Sequence, residues 1–542
     1  MKSWPSKDMG RLTGDGTAFL AENMGYHTYM LARPGRPALM IAHHAETGNA
    51  PSLAALADQL LGFVRHAADQ GRPAHEVERA IWDRVLKLGR EAFALFLRLH
   101  GTGDVGDQLT LPDGSTADRL PTAHTRGYRS VFGDFTVARA CYGTRDGQRI
   151  AFVPLDNRLQ LPDSDYSYLL QEWDAALGSE SAFARVATTL RDILGVKQPV
   201  DSLERNNRRM AEAVESFREA RPVPTPADEG DVFVVSADGK GVPMRRGPDD
   251  PPAKAHRGKG DKANKKRMAI IGAVYSVDRH PRTAAEVTAA LFRDPRPDGA
   301  SGPARPEPVG KHVWGRLSRA SDGSLGEPID AVFGWLASEL GRRNPPGRRP
   351  VVCVMDGQEA LWEGRVRHVP GDVVEVLDIL HVTPRLWQAA YLFHMEGSPG
   401  ATAFVRDRVE RVLGGSVKGV VAGLRRLGTI RGLTGSRKKT LRTITNYLSG
   451  NAGRMRYDEY LREGYPIASG VIEGACRHYV KDRLERSGMR WTRAGAQAML
   501  DVRSEFLNGD WEQFQKHRIE QETQRMYPHR QVLKGIEWPL VA

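Results

Sequence analysis

Residues 231–245 read DVFVVSADGKGVPMR, and this stretch decides the fold. Its residues 232–237 form a continuous apolar run, which is typical of a strand buried on both faces of a sheet. The run ends at Asp238, where we expect a carboxylate held rigidly at the edge of that sheet. We therefore take this segment as the first strand of an α/β core and Asp238 as a candidate site residue.

Three further apolar runs continue the pattern, at residues 268–277, 350–355 and 373–376. The second of these runs ends at Asp356, and the third ends near Asp378. Strands that alternate with helical segments predict an α/β sheet with acids at the ends of its strands. A single acid at the end of a strand also serves to cap a turn or a helix, so each aspartate alone is weak evidence of a site.

A further acid, Glu473, lies in SGVIEGACRHYVKDRLERSGMRW, residues 469–491. Two aspartates on neighbouring strands converge at one edge of a sheet, and a glutamate on a helix beside it completes a pocket of three carboxylates. Mg²⁺ prefers hard oxygen ligands of this kind. Two such ions, with Mn²⁺ as a substitute, activate the attacking oxygen and stabilise the leaving oxygen in phosphodiester cleavage. The sequence therefore predicts a two-metal site at Asp238, Asp356 and Glu473.

Cationic residues close to these acids in the sequence are candidate phosphate contacts. Lys240 follows Asp238 by two residues. Arg477 and Lys481 follow Glu473 by four and eight residues, which places both on the same face of an α-helix as that acid. The alternative for Arg477 and Lys481 is ordinary support of the helix by side chains one turn apart.

The charge of the chain predicts an anionic partner. Its 542 residues include 78 Lys and Arg against 66 Asp and Glu, a formal net charge of +12, and nucleic acid is the usual partner of so basic a protein. Residues 411–457 contain 11 Lys or Arg and no acid. Phosphate contact is the simplest explanation, with a structural or linker role as the alternative. The DNA-binding candidates here are Arg425, Arg426, Arg431, Arg437, Lys438, Lys439 and Arg442.

An upstream pair of helices is a second candidate for DNA binding. Residues 182–193 and 201–217 each have a helical period and are separated by a short turn, as in a helix-turn-helix. The second helix would present Arg205, Arg208 and Arg209 to DNA. The alternative is an ordinary helical hairpin with a solvated basic face.

Changes of pattern along the chain predict five regions. Residues 50–100 have a helical period, residues 129–155 alternate as short strands, and a Pro-rich hinge covers residues 220–231. The regions are a helical part at 1–124, a small strand-plus-helix-turn-helix-like DNA-binding part at 125–220, the first part of the catalytic core at 221–384, a basic helical insertion at 385–460, and the last part of the core, with the Glu-bearing helix and a tail, at 461–542.

Cysteine use and hydropathy predict a cytoplasmic protein. Three cysteines without a CxxC pair cannot build a disulfide framework, which favours a reducing compartment. The sequence has no run of 18 apolar residues and no apolar segment near its first residue. We therefore expect neither a membrane span nor secretion.

Several of these segments together resemble one protein family. They are VSADGKGVPMR, NKKRMAIIGAVY, VMDG, LDILHV, the long and distinctive residues 469–511, and the upstream SVFGDFTVARACYG and FVPLDNRLQLPDSDYSYLLQEW. Over residues 125–525, most of its length, the chain resembles bacterial insertion-sequence transposases of the ISKra type, which belong to the DDE group.

The resemblance implies an α/β fold, with an RNase H-like mixed sheet and flanking helices. An α-helical insertion would interrupt this core, and a mostly helical N-terminal DNA-binding region would precede it. The resemblance also implies that Asp238, Asp356 and Glu473 are the catalytic and metal-binding acids. LDILHV matches a DxxH signature of related groups, which places Asp378 and His381 near the site. There His381 would orient a phosphate or an acid, with a structural histidine as the alternative, and Asp378 would support the ligands rather than bind metal.

By the same resemblance the protein is a transposase that cuts and joins insertion-sequence ends by two-metal-ion phosphoryl transfer. Its partners would be double-stranded DNA of the element ends and of the target, in the bacterial cytoplasm at the nucleoid. Pairing two ends implies a homo-oligomer, at least a dimer on DNA. Two alternatives stay open: an RNase H-like nuclease without strand transfer, and a DNA-binding repressor with an idle site.

Overall fold

A computed structural model of the protein describes residues 52–143, 150–245, 266–295, 305–319, 324–345, 348–486, 488–536 and 538. The part of the predicted helical region before residue 52 lies outside the described residues. Residues 57–542 form one compact unit, and the sheets and the candidate site lie in it. In the described part of the chain, no helix is both long enough and apolar enough to cross a membrane.

The part of the chain before the predicted hinge contains helices and short strands. The helices are α1 (Leu53–Asp69), α2 (Ala74–Leu99), α3 (Pro154–Leu159), α4 (Tyr168–Glu180), α5 (Phe183–Leu194), α6 (Val200–Ala211) and α7 (Val214–Ala220). The strands are β1 (Gln108–Thr110), β2 (Thr116–Arg119), β3 (His124–Ser130), β4 (Gly133–Arg139), β5 (Tyr142–Gly143) and β6 (Ile150–Phe152). Strands β1, β2, β5 and β6 form one small sheet, and β3 and β4 form a hairpin. The helical period of residues 50–100 and the strands expected in 129–155 are confirmed.

The central sheet is mixed, as the resemblance implies. In the described residues its strands are β7 (Val232–Pro243), β8 (Lys266–Val277), β9 (Val309–Leu317), β10 (Val351–Met355) and β11 (Val373–Leu377). They lie in the order β11–β10–β7–β8–β9. The pairs β7–β8 and β8–β9 are antiparallel, whereas β7–β10 and β10–β11 are parallel. The helices between these strands in the sequence are α8 (Ala284–Phe292), α9 (Gly326–Arg343) and α10 (Glu359–His368).

Asp238 lies in the middle of β7, and our expectation that it ends a strand was wrong. The apolar run does end there, but β8 pairs with β7 along its whole length, from Val232 to Pro243. The antiparallel partner therefore extends the strand past the polar residues, and a local apolar pattern cannot reveal that extension.

Alternation along β7 directs its side chains into two apolar layers. Phe233 and Val235 belong to the layer formed by α9 and α10. Val232 and Val234 belong to the opposite layer, which the helices after β11 cover. Because both faces are covered, the strand reads as a continuous apolar run rather than as an alternating one.

The basic insertion packs directly on one face of the sheet. Its helices are α11 (Ile379–Ala390), α12 (Pro399–Leu413), α13 (Val417–Ile430), α14 (Gly435–Gly450) and α15 (Tyr457–Arg462). Their apolar side chains form one continuous core with that face. The predicted boundaries after residues 384 and 460 consequently fall inside α11 and α15, and not between elements.

The last part of the chain returns to the sheet and covers its open edge. It contains α16 (Gly470–Ala475), a π-helix (Cys476–Lys481), α17 (Asp482–Leu484), α18 (Arg493–Asn508) and α19 (Trp511–Met526). Short 3-10 helices are Pro226–Asp228, Ala452–Arg454 and Arg530–Leu533. On the edge strand β9, the N–H groups of Leu317 and Val313 donate to the side-chain amides of Gln497 and Asn508 on α18, each at 2.8 Å. These side chains satisfy backbone groups that an uncovered edge would leave unpaired.

A buried carboxyl joins α4 to the α5–α6 pair. Asp174 on α4 is buried and accepts a hydrogen bond from Gln198 Nε2 at 2.9 Å, whereas its Oδ2 has no partner among the described residues. Burial raises the pKa of Asp174 to about 7. The ionised form of this side chain is therefore the unfavourable one in the folded protein.

Replacing Asp174 by Asn should make the stability of the protein less dependent on pH. A carboxyl whose pKa rises on folding stabilises the fold below its unfolded pKa of about 3.9, and that stability is lost as the pH rises through the folded value, here about 7. Because of Asp174, we expect the Tm of the wild type to fall by several degrees between about pH 5 and about pH 8. In Asp174→Asn, the Tm should change much less over the same range.

Scanning calorimetry at both pH values measures this difference. The control is Asp192→Asn, which changes an exposed carboxylate on the neighbouring α5. A Tm that falls equally in the wild type and in Asp174→Asn would show that Asp174 does not titrate in this range.

Candidate active site

The pairing register of the central sheet brings three aspartates level with one another. Cys353 on β10 lies opposite Val235 on β7 and opposite Glu375 on β11. The residue three positions further along each of these strands is an aspartate, which gives the aspartate row Asp238, Asp356 and Asp378. Because the three strands are parallel and paired in this register, the three aspartates lie side by side across the sheet, Asp356 and Asp378 directly after their strands and Asp238 within β7.

Backbone donors hold one oxygen of each aspartate. Asp356 Oδ1 accepts a hydrogen bond from the N–H of Gln358 at 2.8 Å. Asp378 is the N-cap of α11, and its Oδ1 accepts from the N–H of Leu380 at 2.7 Å. Asp238 Oδ1 lies 2.6 Å from the nitrogen of the next residue. These local bonds fix the orientation of each carboxylate before any ligand binds.

A helix brings Glu473 to the aspartate row. This helix is α16, which begins directly after Ser469. The hydroxyl of Ser469 donates a hydrogen bond to Asp378 Oδ2. His381 lies on α11, one turn after Asp378. The ligand atoms of Asp378, His381 and Glu473 all lie within 4.8 Å of one another. Sequence reasoning assigned Asp378 a supporting role, whereas the structure groups it with Glu473.

Negative charge accumulates at these side chains. Burial, followed by the charges of Asp238 and Asp378, raises the pKa of Asp356. Burial, followed by the charges of Asp378 and Asp238, raises the pKa of Glu473. Interaction with Asp378, with further contributions from Asp356 and Glu473, raises the pKa of His381. Carboxylates that perturb one another in this way are typical of functional sites.

These residues fit a divalent cation. Asp378 and Glu473 offer carboxylate oxygens, which suit Mg²⁺ and Mn²⁺. The buried Nδ1 of His381 lies 3.4 Å from Asp378 Oδ2, yet it forms no hydrogen bond to a described residue. In the neutral imidazole the lone pair of this nitrogen, beside two carboxylates, can bind a metal ion. The group can therefore bind a metal ion.

The cationic residues predicted near the acids differ in their exposure to solvent. Lys240 is half-buried on β7, two residues beyond Asp238. Arg477 and Lys481 are exposed, and both lie in the π-helix that follows α16. A π-helix has more residues in each turn than an α-helix. The four-residue spacing that predicted a shared face with Glu473 therefore does not hold for Arg477 and Lys481.

Sequence reasoning missed side chains that contact these acids. Ser469 donates to Asp378, and the thiol of Cys476 donates to Asp238 Oδ2 at 3.2 Å. Both lie close to Glu473 in the sequence, and that closeness was a usable signal. For Tyr447 on α14 the sequence contained no such signal, because Tyr447 reaches the site only through the packing of the insertion on the sheet.

Tyr447 packs against the backbone that follows Asp356. A β-carbon at Gly357 would lie 2.5 Å from the Tyr447 ring, so only glycine fits beside that ring without a shift. The guanidinium of Arg385 lies 5.0 Å from the centroid of the same ring, within the range of a cation–π contact. The insertion therefore forms one wall of the candidate site.

The basic residues predicted on the insertion are exposed. Within the described part of the chain, none forms an ion pair; they are Arg425, Arg426, Arg431, Arg437, Lys438, Lys439 and Arg442. Only Arg437 has a fixed polar contact, a hydrogen bond to the carbonyl oxygen of Leu392. Charge that no carboxylate neutralises is available to an anionic partner.

The basic residues predicted on α6 are partly engaged with acids. Arg209 lies 3.0 Å from Asp163, and Arg208 lies 3.8 Å from Glu204. Arg205 is exposed and has no ion pair among the described residues. The structure confirms the first helix and the start of the second, but the helix predicted over 201–217 is divided, since α6 ends at Ala211 and α7 begins at Val214. Contact of these arginines with DNA stays a prediction.

Comparison with known proteins gives little evidence about the family of this chain. No protein-family model matches the chain, and neither does any curated protein. Among solved structures, the chain is similar to one titled "Drosophila P element transposase strand transfer complex", with 10% sequence identity and a TM-score of 0.22 over 73% of this chain and 90% of that chain. A TM-score of this size does not indicate a shared fold.

Substituting Gly357 by Ala should destabilise the protein through a clash with Tyr447. The new methyl group would require a shift of the Tyr447 ring or of the strand end, at a cost of about 1–3 kcal/mol. The matched control is Gly423→Ala, since nothing lies within 4 Å of a β-carbon there. In the interior of α13 that change should stabilise by up to about 1 kcal/mol. Urea unfolding of both variants gives the two values, and equal effects would contradict the packing described.

Proposed function

We propose that the protein is a DNA transposase of the DDE group, of the kind it resembles among ISKra-type insertion sequences. It would cut and join element ends by metal-dependent phosphoryl transfer. The observation that carries this proposal is the aspartate row with Glu473 beside it, next to a basic helical insertion. The mixed sheet with helices on both faces supports an RNase H-like core.

The acids would hold the metal ions. Asp238, Asp356 and Glu473 remain the proposed ligands of two Mg²⁺ ions, with Mn²⁺ as a substitute, and we add Asp378 and His381 because their ligand atoms lie near that of Glu473. When bound, such ions activate the attacking oxygen and stabilise the leaving oxygen of a phosphodiester.

The chain itself prepares the site by holding like charges together. Two carboxylates whose oxygens lie within 4.8 Å of each other repel each other by about 3 kcal/mol or more at an effective dielectric constant of about 20. The same charges repel a DNA phosphate. Cations relieve both repulsions, so we expect DNA to enter the site only together with them.

The insertion would guide the DNA past these acids. On α14, Lys438, Lys439 and Arg442 precede Tyr447, which packs beside Asp356. Five residues of α-helix separate Arg442 from Tyr447, a rise of about 8 Å. A backbone held by the basic part of α14 would therefore pass close to the aspartate row. Half-buried Lys240 would contact a phosphate on the opposite side of Asp238, along β7.

The proposed reaction has two phosphoryl transfers. In the first, water attacks a phosphodiester at the element end, so that a P–O bond forms to water and the bond to the 3′ oxygen breaks. In the second, the freed 3′-OH attacks a target phosphodiester in line, so that one P–O bond again replaces another. Pairing two ends in one reaction implies at least a dimer on DNA, located at the nucleoid of a bacterial cytoplasm.

Removing any acid of the site should abolish cleavage and spare DNA binding. We expect Asp238→Asn, Asp356→Asn, Asp378→Asn and Glu473→Gln each to lower the rate by a hundredfold to a thousandfold or more, by about the amount lost when a key electrostatic group is removed. The assay uses purified protein, DNA with the element's own flanking ends, and Mg²⁺. Asp372→Asn, at the opposite end of β11 from Asp378, is the control.

The same assay separates the proposed enzyme from its alternatives. Joined product from the wild type supports a transposase. Cut DNA without joined product would instead indicate a nuclease, and binding without any cut would indicate a repressor. A wild-type rate in one of the acid variants would remove that residue from the site.

Neutralising the basic residues of α14 should weaken DNA binding and flatten its salt dependence. The triple variant Lys438→Gln, Lys439→Gln, Arg442→Gln should reduce the log–log salt slope by about 2–3, since each phosphate contact contributes about 0.9. The control triple is Arg72→Gln, Arg279→Gln, Arg367→Gln, because these arginines lie outside residues 411–457 and already face Glu76, Glu463 and Asp330. An unchanged slope in the first triple would rule out this contact with the DNA backbone.

A further inference from the structure

A small basic pocket lies away from the acids, where the N-terminal helices meet the catalytic core. Its wall comes from α6, from the end of the segment that continues β7, and from residues 490–495 at the start of α18. The cavity measures about 40 Å³, which is room for roughly three water-sized groups. That space suits the oxygens of one phosphate group and excludes a base.

Arginines dominate the charge of this pocket. Arg208, Arg245 and Arg490 line it, and the carboxylate among its lining residues is that of Glu204. In the described part of the chain, Arg245 and Arg490 form no ion pair, and Arg208 approaches Glu204 only to 3.8 Å. Three guanidinium groups against one carboxylate leave an excess of positive charge. Planar guanidinium groups are the side chains best matched to phosphate oxygens.

Two further features of the pocket favour an anion. Thr492 is the N-cap of α18, a helix of 16 residues, so the positive end of its dipole lies at the wall. Asn207 lines the same cavity and is 4% exposed, and its side-chain amide forms no hydrogen bond to a described residue, so its Nδ2 group is free to donate to an anion. A buried amide without a partner is costly unless a ligand satisfies it.

Backbone hydrogen bonds fix the pocket to the strand that carries Asp238. The N–H of Arg245 donates to the carbonyl oxygen of Trp491 at 2.7 Å, and the N–H of Trp491 donates to that of Pro243 at 3.1 Å. Seven residues of extended chain separate Asp238 from Arg245, which is about 23 Å at 3.3 Å per residue. Phosphates of one DNA strand follow at about 3.4 Å along the helix axis, so for DNA whose axis runs along β7 this distance would correspond to about seven nucleotides.

We propose that the pocket of Arg208, Arg245, Arg490 and Asn207 binds a phosphodiester of the element-end DNA about seven nucleotides from the phosphate that is cut. The position relative to the cut rests on the proposed function, whereas binding of a backbone phosphate does not. Because α6 and the end of β7 share this phosphate, it would set the register between DNA held by the N-terminal helices and DNA in the active site.

Binding to DNA with single neutral linkages tests the proposal. Each duplex carries the element end with one phosphate replaced by a methylphosphonate, and affinity for the full chain is measured in Ca²⁺ so that the DNA stays uncut. With wild-type protein we expect a loss of about tenfold at a linkage about seven nucleotides from the element terminus. The variant Arg245→Gln, Arg490→Gln should bind unmodified DNA more weakly and show no further loss at that linkage.

Controls keep a folding defect apart from a lost contact. Arg486→Gln changes an exposed arginine close in sequence to residues 490–495 but outside the pocket. Its interference map, the loss of affinity at each neutral linkage, should match that of the wild type. Thermal melting of the double variant should match that of the wild type. A map with the same peak in the double variant and the wild type would overturn the proposal. A protein that gives the expected maps but never cuts in Mg²⁺ would contradict the proposed function while supporting the pocket.

Discussion

The parallel pairing of β10 with β7 on one side and β11 on the other places every acid of the candidate site. With Cys353 opposite Val235 and Glu375, the aspartate row follows three residues later. A slip of one residue in either pairing would turn that strand's aspartate to the other face of the sheet. Glu473 depends on the same register, because the hydroxyl of Ser469 ties the start of its helix to Asp378.

The aspartate row is unfavourable by itself, and the surrounding structure holds it in place. Burial and mutual repulsion raise the pKa of Asp356 and of Glu473. The apolar layers on both faces of the sheet supply the packing that keeps these side chains together. A site with this charge and with an unpartnered imidazole nitrogen is poised to bind a cation, and the unpaired arginines and lysines of the insertion are poised to bind a polyanion.

The sequence predicted the elements of this arrangement better than their junctions. Apolar runs located β7, β8, β10 and β11, because strands buried on both faces have a local signature, whereas the edge strand β9 has no such run and was not predicted. They misplaced Asp238 at a strand end, since only pairing with β8 carries β7 on to Pro243. Spacing along an ideal α-helix could not foresee the π-helix after Glu473. The contact of Tyr447 with Gly357 was invisible, because it depends on how the insertion packs on a sheet formed by distant parts of the chain.

A crystal of the full chain grown with Mn²⁺, with diffraction recorded on both sides of the manganese absorption edge, would test the central claim most directly. If the aspartate row is a metal site, anomalous density should appear between the carboxylates of Asp238, Asp356, Asp378 and Glu473, and the Asp356→Asn protein should lose all or part of it. Density at this place in the wild type would support a metal-dependent active site. Well-ordered carboxylates with no anomalous density between them, at a Mn²⁺ concentration that supports binding elsewhere, would contradict it.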